Sequence, residues 1–251
     1  MKFSKIITLA VNSANAFSWI GISNGQNHLT NQNEDICSST SLTRGQKRLC
    51  QQTPEYSLAI KSAAKLSLAS CQQELGEDCP KAVSKLPKLA GDLKWPSAES
   101  GYLHGLSSGQ LISASAKLCQ MGSVGPCDPV KMAQFVEQFT SIPSMTRRRK
   151  MIGQVELHNG RVGRNLADQS SKNLCKCHGQ SGSCIFKTCW QTAPIATHLG
   201  KLAKEKYMES IGIDHGIENL PMQITQMIAK NDFLFIHKQW VIIHESYTCT
   251  F

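Results

Sequence analysis

The chain has 251 residues, 41% of them apolar, and 27 Lys and Arg against 18 Asp and Glu give it a formal net charge of +9. That length covers one sizeable domain with a smaller appendage, and no apolar run reaches the roughly 20 residues of a membrane-spanning helix. Eleven cysteines point to an oxidising compartment, where the excess of basic residues fits a solvated surface or an acidic polysaccharide of the heparan type and speaks against a nucleic-acid partner.

Residues 1–16 carry the marks of a signal peptide: Lys2 and Lys5, a short apolar run over 6–11, and the small-x-small site Ala14-Asn15-Ala16. A buried N-terminal segment is the plain alternative. Residues 17–36 are rich in Asn, Ser and Gln without periodicity, which predicts a disordered lead-in. Thr53-Pro54 then opens a helix, with Tyr56, Ile60, Ala63, Leu66 and Ala69 at helical spacing up to Cys71. Gly, Pro and scattered Lys make 76–96 a loop.

Ser97 caps a second helix, with Tyr102, Leu106, Gly109, Ile112, Ala116 and Cys119 along one face. Asp128-Pro129 starts a third, turning Met132, Phe135, Val136 and Phe139 inward. A fourth spans 147–170 on Met151, Val155, Leu157, Val162 and Leu166. Gly153, Gly160 and Gly163 weaken it, at about 1 kcal/mol each relative to Ala. Its opening run, Arg147-Arg148-Arg149-Lys150, is the best candidate for a polyanion patch, although a helix end with basic side chains accounts for it equally. Pro194 opens a fifth helix with Ile195, Leu199, Leu202 and Tyr207, and 233–236 and 240–243 read as short strands. The fold class is therefore mainly α, a helical bundle with cysteines at helix ends.

Residues 175–190 read Cys-Lys-Cys-His-Gly-Gln-Ser-Gly-Ser-Cys-Ile-Phe-Lys-Thr-Cys-Trp. Pairing Cys175 with Cys189 and Cys177 with Cys184 gives two rungs of a hairpin whose tip is 178–183. Two glycines and two serines there allow a sharp, exposed turn. Zinc ligation is a competing reading, but Cys-x-Cys is tighter than the usual Cys-x2–4-Cys knuckle. A serine hydrolase is another. Gly179-Gln180-Ser181-Gly182-Ser183 approaches a nucleophile elbow, yet Ser183 stands where the last Gly belongs. A purely structural hairpin is the third.

This run closely resembles the signature of the Wnt family, Cys-Lys-Cys-His-Gly-x-Ser-Gly-Ser-Cys-x-x-Lys-Thr-Cys-Trp, at every position. The similarity extends more loosely over 37–251: Cys37 to Cys71, Glu99-Ser100 to Cys119, Leu157-His158-Asn159 with Gly163-Arg164, 202–207 and 244–249. The resemblance implies a secreted ligand rather than an enzyme, with no cofactor beyond a palmitoleoyl group on Ser181. A Porcupine-type acyltransferase would attach it, a Wntless-type carrier would shield it, and the cysteine-rich domain of a Frizzled-type receptor would take it up. Lys176, His178, Gly179, Gln180, Ser181, Gly182 and Phe186 would form the receptor contact. It further implies the disulfides Cys71–Cys79, Cys119–Cys127, Cys175–Cys189 and Cys177–Cys184, with Cys37 and Cys50 as candidates for a fifth. The domain plan is then a helical N-terminal domain over 37–174, the lipid-bearing hairpin over 175–190, and a last helix with the start of a shortened C-terminal region over 191–251.

The chain also departs from the pattern. Asp128-Pro129 replaces a cysteine, and the Trp-Gly-Gly-Cys loop holding its partner is missing. Residues 238–243 look inserted, and these 251 residues contain no Asn-x-Ser/Thr sequon. Cys249 is left without a partner, and the family's cysteine-rich C-terminal domain is not found. These departures keep two alternatives open: an inactive or antagonistic shortened ligand, and more remotely an intracellular zinc-binding or hydrolytic protein.

Overall fold

The computed structural model describes residues 18–24, 36–79, 97–123, 127–141, 147–179, 184–213 and 231–236. The expected signal peptide, the strand at 240–243 and Cys249 lie outside them.

Helix α1 (Arg44–Gln52) opens on a complete capping box: the Gln46 amide donates to Thr43 Oγ1 at 3.2 Å and the Thr43 amide donates to Gln46 Oε1 at 3.0 Å. Gln46 is itself buried, and its Nε2 donates to the Phe139 carbonyl at 2.9 Å, tying α1 to the end of α4. Thr53-Pro54 starts a single 3-10 turn, Pro54–Tyr56, which feeds α2 (Ser57–Leu75). Helix α2 runs past Cys71 and stops at Gly76, whose φ of +54° is cheap only without a Cβ.

Two further helix starts follow their predicted caps. The Ser97 side chain accepts from the Ser100 amide at the head of α3 (Ala98–Gln120), and Asp128 Oδ1 accepts from Val130 and Lys131 at the head of α4 (Pro129–Thr140). Helix α5 (Arg147–Ser170) spans the predicted range despite its glycines, and α6 (Ala196–Met208) begins just after Pro194.

Helix α3 is the axis of the bundle. Every residue from Ser100 to Ser115 is buried, and α5, α2, α6 and α4 all pack against it. A helix buried all round would usually read as continuously apolar. This one is rich in Ser and Gly instead, because small side chains let its neighbours approach closely. Gly109 and Gly163 lie where α3 and α5 cross, and a Cβ on either would collide with the opposing backbone, while one on Gly105 would run into the Phe233 ring.

The lead-in expected to be disordered over 17–36 is ordered in part. Ser18–Asn24 forms a 3-10 helix packed on α2. Trp19 and Ile20 are 1% and 0% exposed, and the Trp19 ring meets Phe139 edge-on at 5.6 Å. Three apolar residues, Trp19, Ile20 and Ile22, are too few to show a period, but a buried indole anchors the segment through its large contact area.

The strand at 233–236 is present as β4 (Leu234–Ile236). It pairs in parallel with β3 (Ile211–Ile213), a strand too short to stand out in the sequence. Strands β1 (Asn173–His178) and β2 (Phe186–Gln191) form a separate antiparallel ribbon. Five disulfides join the described cysteines, Cys37–Cys50 among them, and the other four are the pairs the resemblance implied. The fold is a mainly helical, disulfide-stapled bundle bearing a hairpin.

Candidate functional site

The hairpin grows directly out of α5, which ends two residues before β1. Its base is closed by reciprocal bonds: the Thr192 amide donates to the Lys172 carbonyl at 2.8 Å, and the Lys172 amide donates to Thr192 Oγ1 at 3.0 Å. The returning chain is then fixed to α3. Ser113 Oγ donates to the Pro194 carbonyl at 2.6 Å, and Gln110 Nε2 donates to the Ala196 carbonyl at 2.9 Å and to Ser70 Oγ at 3.2 Å. One buried amide thus links α2, α3 and the exit from the hairpin. Nothing in the sequence singled out Gln110 or Ser113, because a polar residue within a helical pattern carries no mark of burial.

The ladder runs from Asn173↔Gln191 to His178↔Phe186, so the hairpin starts two residues earlier than 175. The two staples are not equivalent rungs. Cys175 and Cys189 are ladder partners, whereas Cys177 stands opposite Lys187 and bonds instead to Cys184, which precedes β2. The second bridge therefore draws the far side of the tip back along the ribbon. His178, expected in the tip, belongs to the ladder. Its ring stacks on Phe186 with centroids 4.9 Å apart, and its Nε2 shares a 2.9 Å hydrogen bond with Thr188 Oγ1.

Strand alternation sorts the remaining side chains. Leu174 and Trp190, Lys176 and Thr188, and His178 and Phe186 lie on one face, with Cys175, Cys189 and Cys177 on the other. Lys176 and Gly179 are exposed, and Phe186 is 64% exposed. Gln180, Ser181 and Gly182 lie outside the described residues, bracketed by Gly179 and Cys184. With all four hairpin sulfurs in disulfides, no thiolate remains for the zinc reading. An antiparallel ribbon is also not the strand-to-helix turn of a nucleophile elbow.

Behind the hairpin, α5 carries a polar group that fastens β4. Asn159 Nδ2 donates to the Leu234 carbonyl at 2.9 Å while its Oδ1 accepts from the Leu234 amide at 2.8 Å, as a neighbouring strand would. His158 Nε2 donates to the Asp232 carbonyl at 2.8 Å, and burial lowers its pKa against that bond. Arg164 pairs with Glu137 at 3.0 Å, joining α5 to α4. So His158, Asn159, Gly163 and Arg164 of the Leu157-His158-Asn159…Gly163-Arg164 stretch each make structural contacts.

Two buried ionisable groups lie outside this network. Burial pushes the Glu156 carboxyl up to about 8, and its Oε2 has no hydrogen-bond partner among the described residues. Burial, reinforced by Arg164, pushes His104 down to about 3. A cleft of about 310 Å³ opens at the foot of the hairpin between Tyr56, Ile112, Met132, Asp168 and Pro194, where burial raises the Asp168 carboxyl.

The sequence model of the wnt family matches residues 38–134 and 130–239. Protein Wnt-11b of Xenopus laevis is 27% identical over 231 residues, covering 80% of this chain and 64% of the relative. Protein Wnt-16 of Bos taurus is 25% identical over 240 residues, covering 80% and 66%. The chain thus spans a little under two thirds of the length of these relatives. A chain in the solved structure of human WLS in complex with WNT8A is similar with a TM-score of 0.51 at 23% identity, over 71% of this chain and 66% of that one, a likeness of fold.

Proposed function

The chain belongs to the Wnt family, and on that premise we propose that it is a secreted signalling ligand which carries a palmitoleoyl chain on Ser181 to the cysteine-rich domain of a Frizzled-type receptor. The observation that supports this most is the doubly stapled hairpin. Its ladder and two disulfides leave little freedom to lose when the tip docks.

The acyl chain itself supplies the affinity in this reading. Each buried methylene contributes about 0.8 kcal/mol, so sixteen carbons offer roughly 10 kcal/mol before ordering costs. Lys176, His178, Gly179, Gln180, Gly182 and Phe186 surround the entry point. A Porcupine-type acyltransferase loads Ser181 in the secretory pathway. WNT8A has been solved with human WLS, which supports a Wntless-type carrier for this chain as well. A heparan-type glycan would meet the basic run at the head of α5.

The test is Ser181→Ala. The wild-type secreted chain is expected to carry one acyl mass and the variant none, with receptor binding reduced by several orders of magnitude. Undiminished binding by the variant would overturn the reading.

A further inference from the structure

We propose that one face of the hairpin is a docking surface for anionic membrane interfaces and works without an acyl chain. The face carries an apolar pair at its base and an aromatic stack at its far end, with a basic residue between them. Leu174 and Trp190, 48% and 47% exposed, stand at the base. Phe186, 64% exposed and stacked on His178, stands at the far end. Lys176 lies between Leu174–Trp190 and His178–Phe186 on the same face.

A ribbon this small cannot hide such side chains by folding on itself. The disulfides tie its two strands together, and among the described residues each strand pairs with the other alone. Exposed apolar groups clustered in this way mark a contact surface.

The charges choose the occupant. Residues 172–191 contain Lys172, Lys176 and Lys187 and not one Asp or Glu. An anionic polysaccharide would use the lysines but leave the aromatic groups in water. A bilayer interface uses both: Trp and Phe rings settle at headgroup depth, and a Lys between them extends its ammonium to lipid phosphates. Basic residues near an anionic leaflet add further attraction.

The experiment uses the full oxidised chain carrying Ser181→Ala, so that no acyl group contributes and the result stands apart from the receptor reading. Vesicles of phosphatidylcholine with and without phosphatidylserine are titrated in a sedimentation assay. The variant is expected to bind the vesicles containing phosphatidylserine, and added salt is expected to weaken it. Adding Phe186→Ser with Trp190→Ser should lower that binding by about tenfold or more, the effect of two apolar side chains left in water. Both side chains are exposed, and near-ultraviolet circular dichroism would verify the fold; Phe186→Ser alone gives a milder second variant. Absence of vesicle binding, or binding indifferent to the apolar substitutions, would overturn the proposal. Binding to heparin alone would do the same by assigning the face to polysaccharide.

Discussion

Gly105 and Gly163 meet backbone to backbone where α3 crosses α5: a Cβ on Gly163 would overlap the Gly105 carbonyl. Gly→Ala in a helix normally gains about 1 kcal/mol. At Gly163 the clash is with backbone, which cannot rotate away, so Gly163→Ala should destabilise by about 3 kcal/mol. Urea unfolding would measure it, and a stabilised variant would show that the two helices are free to separate.

The Asn159 side chain acts as a strand edge towards Leu234. Asn159→Ala leaves a buried amide and a buried carbonyl unpaired, and should cost about 2–3 kcal/mol. Hydrogen exchange gives the specific readout: the Leu234 amide, protected by Asn159 Oδ1, should exchange much faster in the variant. Unchanged protection at that amide would refute the assignment.

How far the sequence reached depended on the kind of signal. Caps with a fixed chemistry, Ser97 and Asp128-Pro129, placed their helices correctly. So did apolar periodicity in α3 to α6. Helix α1 escaped because Arg44–Gln52 has almost no apolar stripe, although Thr43 and Gln46 form the capping pattern that could have revealed it. The glycines of α5 pointed the wrong way: read one at a time they weaken a helix, while in the bundle Gly160 and Gly163 are what lets α5 seat on α3. Trp19 and β3 were lost for lack of length. At the hairpin the family signature supplied the pairing, but only the register shows that Cys177 faces Lys187 and that His178 is a ladder residue.

Glu156 predicts a pH dependence. Its folded pKa, about 8, lies above its unfolded value of 4.5. Between those values the folded chain holds a proton that the unfolded chain has released, so stability falls as pH rises from 4.5 to 8, by on the order of a few kcal/mol. Glu156→Gln keeps the shape and removes the proton equilibrium. Thermal melts from pH 5 to pH 8 should show the variant gaining steadily on the wild type. Parallel curves would mean that Glu156 ionises freely in the fold.

The offset staple should separate the stability of the tip from that of the bundle. Cys177 and Cys184 are 7 residues apart, and closing so short a loop is worth about 2–3 kcal/mol to the segment it closes. The hairpin is exposed and joined to the core through its base, where Ser113 and Gln110 hold the exit chain. Local opening of the ribbon therefore need not unfold the helices. In Cys177→Ser with Cys184→Ser, amides near Phe186 and Lys187 should exchange on the order of fiftyfold faster, while the global unfolding midpoint stays where it was. A drop in that midpoint would show instead that the hairpin and the bundle unfold as one cooperative unit. Because the remaining Cys175–Cys189 bridge sits on the ladder itself, the base should keep its register, and amides near Leu174 and Trp190 should exchange as slowly as before.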